Sequence, residues 1–222
     1  MSKRQTLIAG LMAGAVAAVA AMASAATPPD ISGMWLVKTP SPALKTLDGK
    51  DPPLKPGVKR ATTPDPDNDC VPPGPLRSMY YPYPIKILSR PTQVTLMHEF
   101  NHLVRLIHLN KPQVEESPNN WMGSSVGKWE GDTLVVNTWG LNGETWLDKT
   151  GLPSSQDFRM VERIKLAPGG KTLEDTITVT DPKVYARPWT TKVTFERRSD
   201  LRLEESICKE SVRPLPIPPA PK

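Results

Sequence analysis

The sequence predicts an all-β protein, an antiparallel meander of short strands closed into a barrel and preceded by a proline-rich N-terminal arm. Three observations predict it. From Val94 onwards, apolar and polar residues alternate in short runs, the period of a half-buried strand. The runs are separated by turn formers: Glu130-Gly131-Asp132, Pro168-Gly169-Gly170, Asp181-Pro182 and Ser199-Asp200. No stretch after the N-terminal segment carries a strong amphipathic helical pattern.

Residues 1–25 have the form of a signal peptide. Lys3 and Arg4 supply a basic start, Leu7 to Met22 an alanine-rich apolar run, and Ala23-Ser24-Ala25 a small-residue cleavage site. The alternative is a membrane anchor, for which the run is short. No cysteine follows the cleavage site, so no lipid anchor is expected. The mature protein is expected to begin near Ala26, to be exported to a periplasm, and to have no stable membrane insertion. Removal of Lys3 and Arg4 takes the formal charge from +5 to +3 (5 − 2). The remaining cations are scattered, which gives no basis for nucleic-acid binding. The two cysteines, Cys70 and Cys208, are expected to form a disulfide in an oxidising compartment.

The folded part opens at Ile31-Ser32-Gly33-Met34-Trp35, with Trp35 expected in the core. Between residues 38 and 75 prolines recur, from Pro40 to Pro75. Proline fixes φ and removes a donor, so an extended arm is expected, held by Cys70. The arm and first strand occupy residues 26–91, with a short strand at Ile85–Leu88. The barrel proper is expected over 92–210. Its strands are Val94–Met97, Leu103–Ile107, Ser124–Trp129, Thr133–Trp139, Phe158–Lys165, Thr172–Thr180, Trp189–Arg197 and Leu201–Cys208. Glu130-Gly131-Asp132 makes the clearest hairpin turn. A proline-rich tail fills 211–222.

All three histidines lie between Thr92 and His108. His98-Glu99-Phe100-Asn101-His102 is formally H-E-x-x-H, with His108 at the third-ligand position of the longer zinc motif. The motif holds zinc only on a helix, where positions i and i+4 share a face, with the glutamate as base. A zinc-dependent hydrolase is therefore one alternative. The longer motif needs glycine where Arg105 stands, and Val94, Thr95, Val104 and Ile107 are β-branched. The stretch is instead expected to be a hairpin turning at Asn101-His102. That turn places His98 opposite Arg105 and Glu99 opposite Val104, with no metal held by the histidines.

Strand alternation nominates further residues. Glu162 is in step with Phe158, Met160 and Ile164, and Asp175 with Leu173, Ile177 and Val179. Carboxylates on apolar faces must be paired, protonated or functional. Glu162, Asp175 and Arg105 are expected to share the interior, either as an ion-pair network or as an acid/base site.

Two resemblances add to this. Gly33-Met34-Trp35 resembles the opening of lipocalin-like (calycin) barrels, where the tryptophan closes one barrel end. Trp129-Glu130-Gly131-Asp132-Thr133-Leu134-Val135-Val136 resembles the hallmark of a family of exported bacterial proteins, mostly without assigned activities. The likeness continues through Trp146-Leu147-Asp148, Gly151-Leu152-Pro153 and Asp181-Pro182-Lys183-Val184-Tyr185. The resemblance implies export but no particular reaction.

The resulting functional expectation is cofactor-free acid/base chemistry, of lyase, hydratase or isomerase type, on a small hydrophobic or aromatic molecule held in a pocket inside the barrel. His98, Glu99, Arg105 and Glu162 are the catalytic candidates. Tyr83, Trp129, Asp175 and Trp189 are the substrate-binding candidates. The leading alternative is a non-catalytic periplasmic carrier with the same pocket; an envelope scaffold is a third.

Overall fold

A computed structural model describes residues 27–113, 119–206 and 208. The expected signal segment (residues 1–25) and the tail (residues 211–222) lie outside the described residues. Nine strands form one closed barrel in sequence order: β1 (Gly33–Val37), β2 (Ile85–Arg90), β3 (Gln93–His98), β4 (Val104–Leu109), β5 (Ser124–Glu130), β6 (Thr133–Trp139), β7 (Arg159–Leu166), β8 (Thr172–Thr180) and β9 (Trp189–Arg197). Thus β1 and β2 are barrel strands, and β1 closes the sheet by pairing with both β2 and β9.

Alternation set these strands. On β7 from Met160 to Ile164 and on β8 from Leu173 to Val179 every second residue is buried, as a wall with one face to the core requires. The β5–β6 hairpin has Glu130 opposite Thr133, leaving Gly131-Asp132 as a two-residue loop. Gly131 has φ +62°, which glycine adopts without strain.

The meander departs from the expected pattern at two places. First, β4 and β5 are parallel, paired only over Ile107–Ser125, His108–Val126 and Leu109–Gly127. The connection between them returns the chain to the end where β4 began, as a parallel pair demands. Alternation fixes which face a residue takes, not the direction of its strand. Second, Leu201–Cys208 was expected to be a strand, but residues 201–206 are irregular. The outer edge of β9 is already taken, because Trp35 pairs with Arg197 and Val37 with Phe195. The segment instead crosses the β3–β4 loop. The Glu204 N–H donates to Glu99 Oε2 (3.0 Å), and the Ser206 N–H donates to His102 Nε2 (3.2 Å). It ends at Cys208, bridged to Cys70 with Cα atoms 5.6 Å apart.

Trp35 is fully buried, and its Nε1 donates to Ile31 O at 2.9 Å. The Arg197 guanidinium stacks over its ring at 4.3 Å. Gly33 permits this approach, since a Cβ there would stand 2.5 Å from Arg197 Nη1. Trp35, Phe158, Phe195, Leu96 and Leu134 help fill the interior, so the barrel centre is a packed core. The arm lies on the barrel through buried Leu44 and Leu76 and a bridge between Leu54 and Tyr185. It is fixed near the disulfide by Arg77–Asp65 and by the Tyr81 hydroxyl, which donates to Asp67 at 2.6 Å.

Candidate functional site

One inward polar residue comes from each strand from β4 to β8: Arg105, Ser125, Thr138, Glu162 and Asp175. All five are buried. Arg105 meets Glu162 with both guanidinium ends, Nη1 donating to Oε1 at 2.7 Å and Nη2 to Oε2. Nη2 also donates to Thr138 Oγ1 (2.8 Å), and Nε to Ser125 Oγ (3.2 Å). The ion pair is therefore hydrogen-bonded on several sides, the condition under which a buried pair persists.

Asp175 completes the belt differently. It is fully buried, no donor reaches its carboxyl oxygens in good hydrogen-bond geometry, and its polar neighbours include the Glu162 carboxylate and the Arg163 backbone. Burial first, and then the negative charge of Glu162, push its pKa well above the usual carboxylate range; Arg105 opposes this. Asp175 is thus the neutral acid of the cluster, while Glu162 carries the charge that neutralises Arg105.

His98 also faces inward, but not opposite Arg105 as expected. Arg105 pairs with Leu96, and Val104 with Met97. The turn is longer than the two residues assumed. A 3-10 turn spans Phe100–His102, and the His98 N–H closes the loop on Leu103 O at 2.8 Å. Asn101 (φ +53°) and His102 (φ +47°) are both left-handed. The register is displaced by two residues, which preserves every face, so His98 and Arg105 remain inward-facing. Burial, and secondarily Arg105, lower the His98 pKa to about 3. Its Nε2 is buried without a partner. A neutral imidazole with so low a pKa is a feeble proton acceptor near neutral pH.

The other candidates sit elsewhere. Glu99 is half-buried at the loop and accepts from Glu204. Tyr83 packs on Phe100, with centroids 5.3 Å apart. Trp129 lies at the far end of β5, half-buried against the core. Trp189 is buried against Tyr185 at 5.5 Å. None of these is among the hydrogen-bond partners of the Arg105 cluster. Ser125 and Thr138 were missed, although Thr138 is in step with Leu134 and Val136, the signal that identified Glu162. Among the described residues no group of three or more His, Cys, Asp or Glu side chains could hold a metal ion. His98 points inward, His102 lies in the loop and His108 faces outward, so the donors of the H-E-x-x-H reading diverge.

Outside the belt, beside the short β4–β5 ladder, lies a cleft of about 580 Å³. Val104 and Leu106 form one side and are 52% and 43% exposed, unusual for large apolar residues here. Met122, Val126 and Trp139 also line it, together with Arg105 and Ser125. This cleft is not legible in the residue pattern, because it lies beside the parallel step.

No protein-family model matches the chain, and no curated protein matches it in sequence. The closed barrel of nine strands is consistent with a lipocalin-like shape.

Proposed function

We propose that the protein is a non-catalytic carrier, exported to a periplasm, that binds a small hydrophobic or aromatic molecule in the cleft between β4 and β5. The observation that carries this reading is the cleft itself. It has the size and apolar walls of a small-molecule site, and it exposes Val104 and Leu106. The state of the charged residues supports it. Arg105 and Glu162 are engaged with each other, and His98 is held neutral by burial. The signal-like N-terminus supports the compartment.

Titration with Nile red, a neutral apolar probe, tests the reading. Saturable binding at one site is expected, weakened at least tenfold by Leu106→Asp. This outward-facing substitution leaves the core intact. Absence of saturable binding, or binding unchanged by Leu106→Asp, overturns the reading.

The acid/base reading keeps one specific observation in its favour, the fully buried carboxyl of Asp175 beside Glu162, its pKa raised by that burial and by the Glu162 charge. Such a group is a proton donor in waiting. The two readings separate on the fate of the ligand. A carrier returns it chemically unchanged after incubation, whereas an enzyme converts it and loses turnover in Asp175→Asn.

A further inference from the structure

Resting on the carrier reading, we infer that the ligand is an apolar monocarboxylate whose anionic group lies at the Lys111 end of the cleft. The cleft is not uniform along its length. Val104, Leu106 and His108 follow one another on the outer face of β4, and Lys111 lies just beyond the strand. At about 3.3 Å per residue, Val104 and His108 are about 13 Å apart. That length suits a medium alkyl chain or a small ring system.

The apolar end is formed by Val104 and Leu106 facing Met122. The other end carries the His108 ring and the Lys111 ammonium, both exposed. Lys111 makes no ion pair among the described residues, and the described lining contains no Asp or Glu. Arg105, the remaining cation of the lining, is already bound to Glu162, Ser125 and Thr138. It contributes a wall rather than a free charge. Among the described residues the cation at the rim without an ion pair is therefore Lys111, with His108 adding a ring nitrogen able to donate a hydrogen bond. A molecule with an apolar body and a terminal carboxylate matches both ends. A neutral apolar molecule matches only one, and an apolar amine meets like charge.

Decanoate and 1-decanol share the same apolar chain and differ in the charged end, so calorimetric titration of both tests the inference. Decanoate is expected to bind at least fivefold more tightly than decanol, and its affinity to fall with added salt. Lys111→Gln is expected to abolish that preference while leaving decanol binding unchanged. Glu115 and Glu116 stand in the same connection and lie outside the described residues, so the variant Glu115→Gln/Glu116→Gln is included. Decanoate affinity in it should hold or rise. Equal binding of the two probes, a preference that survives Lys111→Gln, or a fall in the glutamine variant overturns the inference while the carrier reading stands. Failure of both probes and of Nile red overturns the carrier reading as well.

Discussion

Arg105 on β4 and Glu162 on β7 meet inside the barrel with Nη1 and Oε1 2.7 Å apart, both withdrawn from solvent. Two strands intervene between them in the wall, and each supplies a hydroxyl to the pair, Ser125 from β5 and Thr138 from β6. The pair thus ties one side of the barrel to the other through its interior. Breaking such a pair from one side leaves a buried charge unpaired, which costs about 3–5 kcal/mol. Glu162→Leu is expected to lose stability on that scale in urea unfolding. The double replacement Arg105→Met/Glu162→Leu removes both charges and is expected to recover most of the loss. A double variant as unstable as the single one would show that the pair itself, not the orphaned charge, sets the cost.

His98 gives the fold a defined acid sensitivity. Its pKa is lowered to about 3 by burial and by Arg105, against about 6.5 in an unfolded chain. Above 6.5 both states leave the ring neutral and the contribution is fully present. As pH falls below 6.5, the unfolded chain takes up a proton that the fold refuses. Stability is lost at up to about 1.4 kcal/mol per pH unit until about pH 3. His98→Gln removes this titration. The difference in unfolding free energy between wild type and variant is expected to change steadily between pH 6.5 and 4, in the sense that the wild type loses more. A constant difference would mean that the ring is protonated in the fold.

The inward set was legible in the sequence because alternation assigns faces. Glu162 and Asp175 were identified as interior residues by their step with apolar neighbours, and both are fully buried. Trp35 and the Cys70–Cys208 bridge followed from local motif and compartment. The features that were not legible depend on what lies between strands. The β3–β4 register turns on two left-handed residues, Asn101 and His102, that a short turn signature does not reveal. The parallel step from β4 to β5, and with it the cleft, depends on the path of a long connection. The irregular course of residues 201–206 depends on β1 already holding the edge of β9, a long-range fact that no local pattern encodes.

The C-terminal segment is a clasp whose closure rests on the disulfide. It crosses the β3–β4 loop, bonds Glu99 and His102 through Glu204 and Ser206, and ends on Cys70, 138 residues away in sequence. Asn101 Nδ2 donates to Cys70 O at 3.0 Å, so the loop and the arm share the same anchor. Cross-linking across so long a span contributes typically about 2–4 kcal/mol. Cys70→Ser/Cys208→Ser is expected to be destabilised by that amount. It should also show faster amide exchange over residues 99–103 and 201–206, with β7 and β8 unchanged. Uniform loss of protection across the barrel would mean that the bridge supports the whole fold rather than this clasp.

Asp175 should titrate in the opposite sense to His98. Burial and the Glu162 charge raise its pKa well above the ordinary range, while in an unfolded chain it stays near 3.9. Below that value both states hold the proton and the group costs nothing. As pH rises above about 3.9 the unfolded chain releases its proton and the fold retains its own. Stability falls by up to about 1.4 kcal/mol per pH unit until the folded pKa is passed. Asparagine has nearly the same shape, carries no charge and leaves Arg105 and Glu162 their mutual bonds. Asp175→Asn is therefore expected to be more stable than the wild type at neutral pH and equal to it near pH 3.5, with the gap widening between. Infrared difference spectra of the wild type at neutral pH should show a protonated carboxyl that is missing in the variant. A variant less stable than the wild type at pH 7, with no such band in either protein, would mean that Asp175 is ionised and held by Arg105, and that the negative charge of the cluster is shared rather than carried by Glu162 alone.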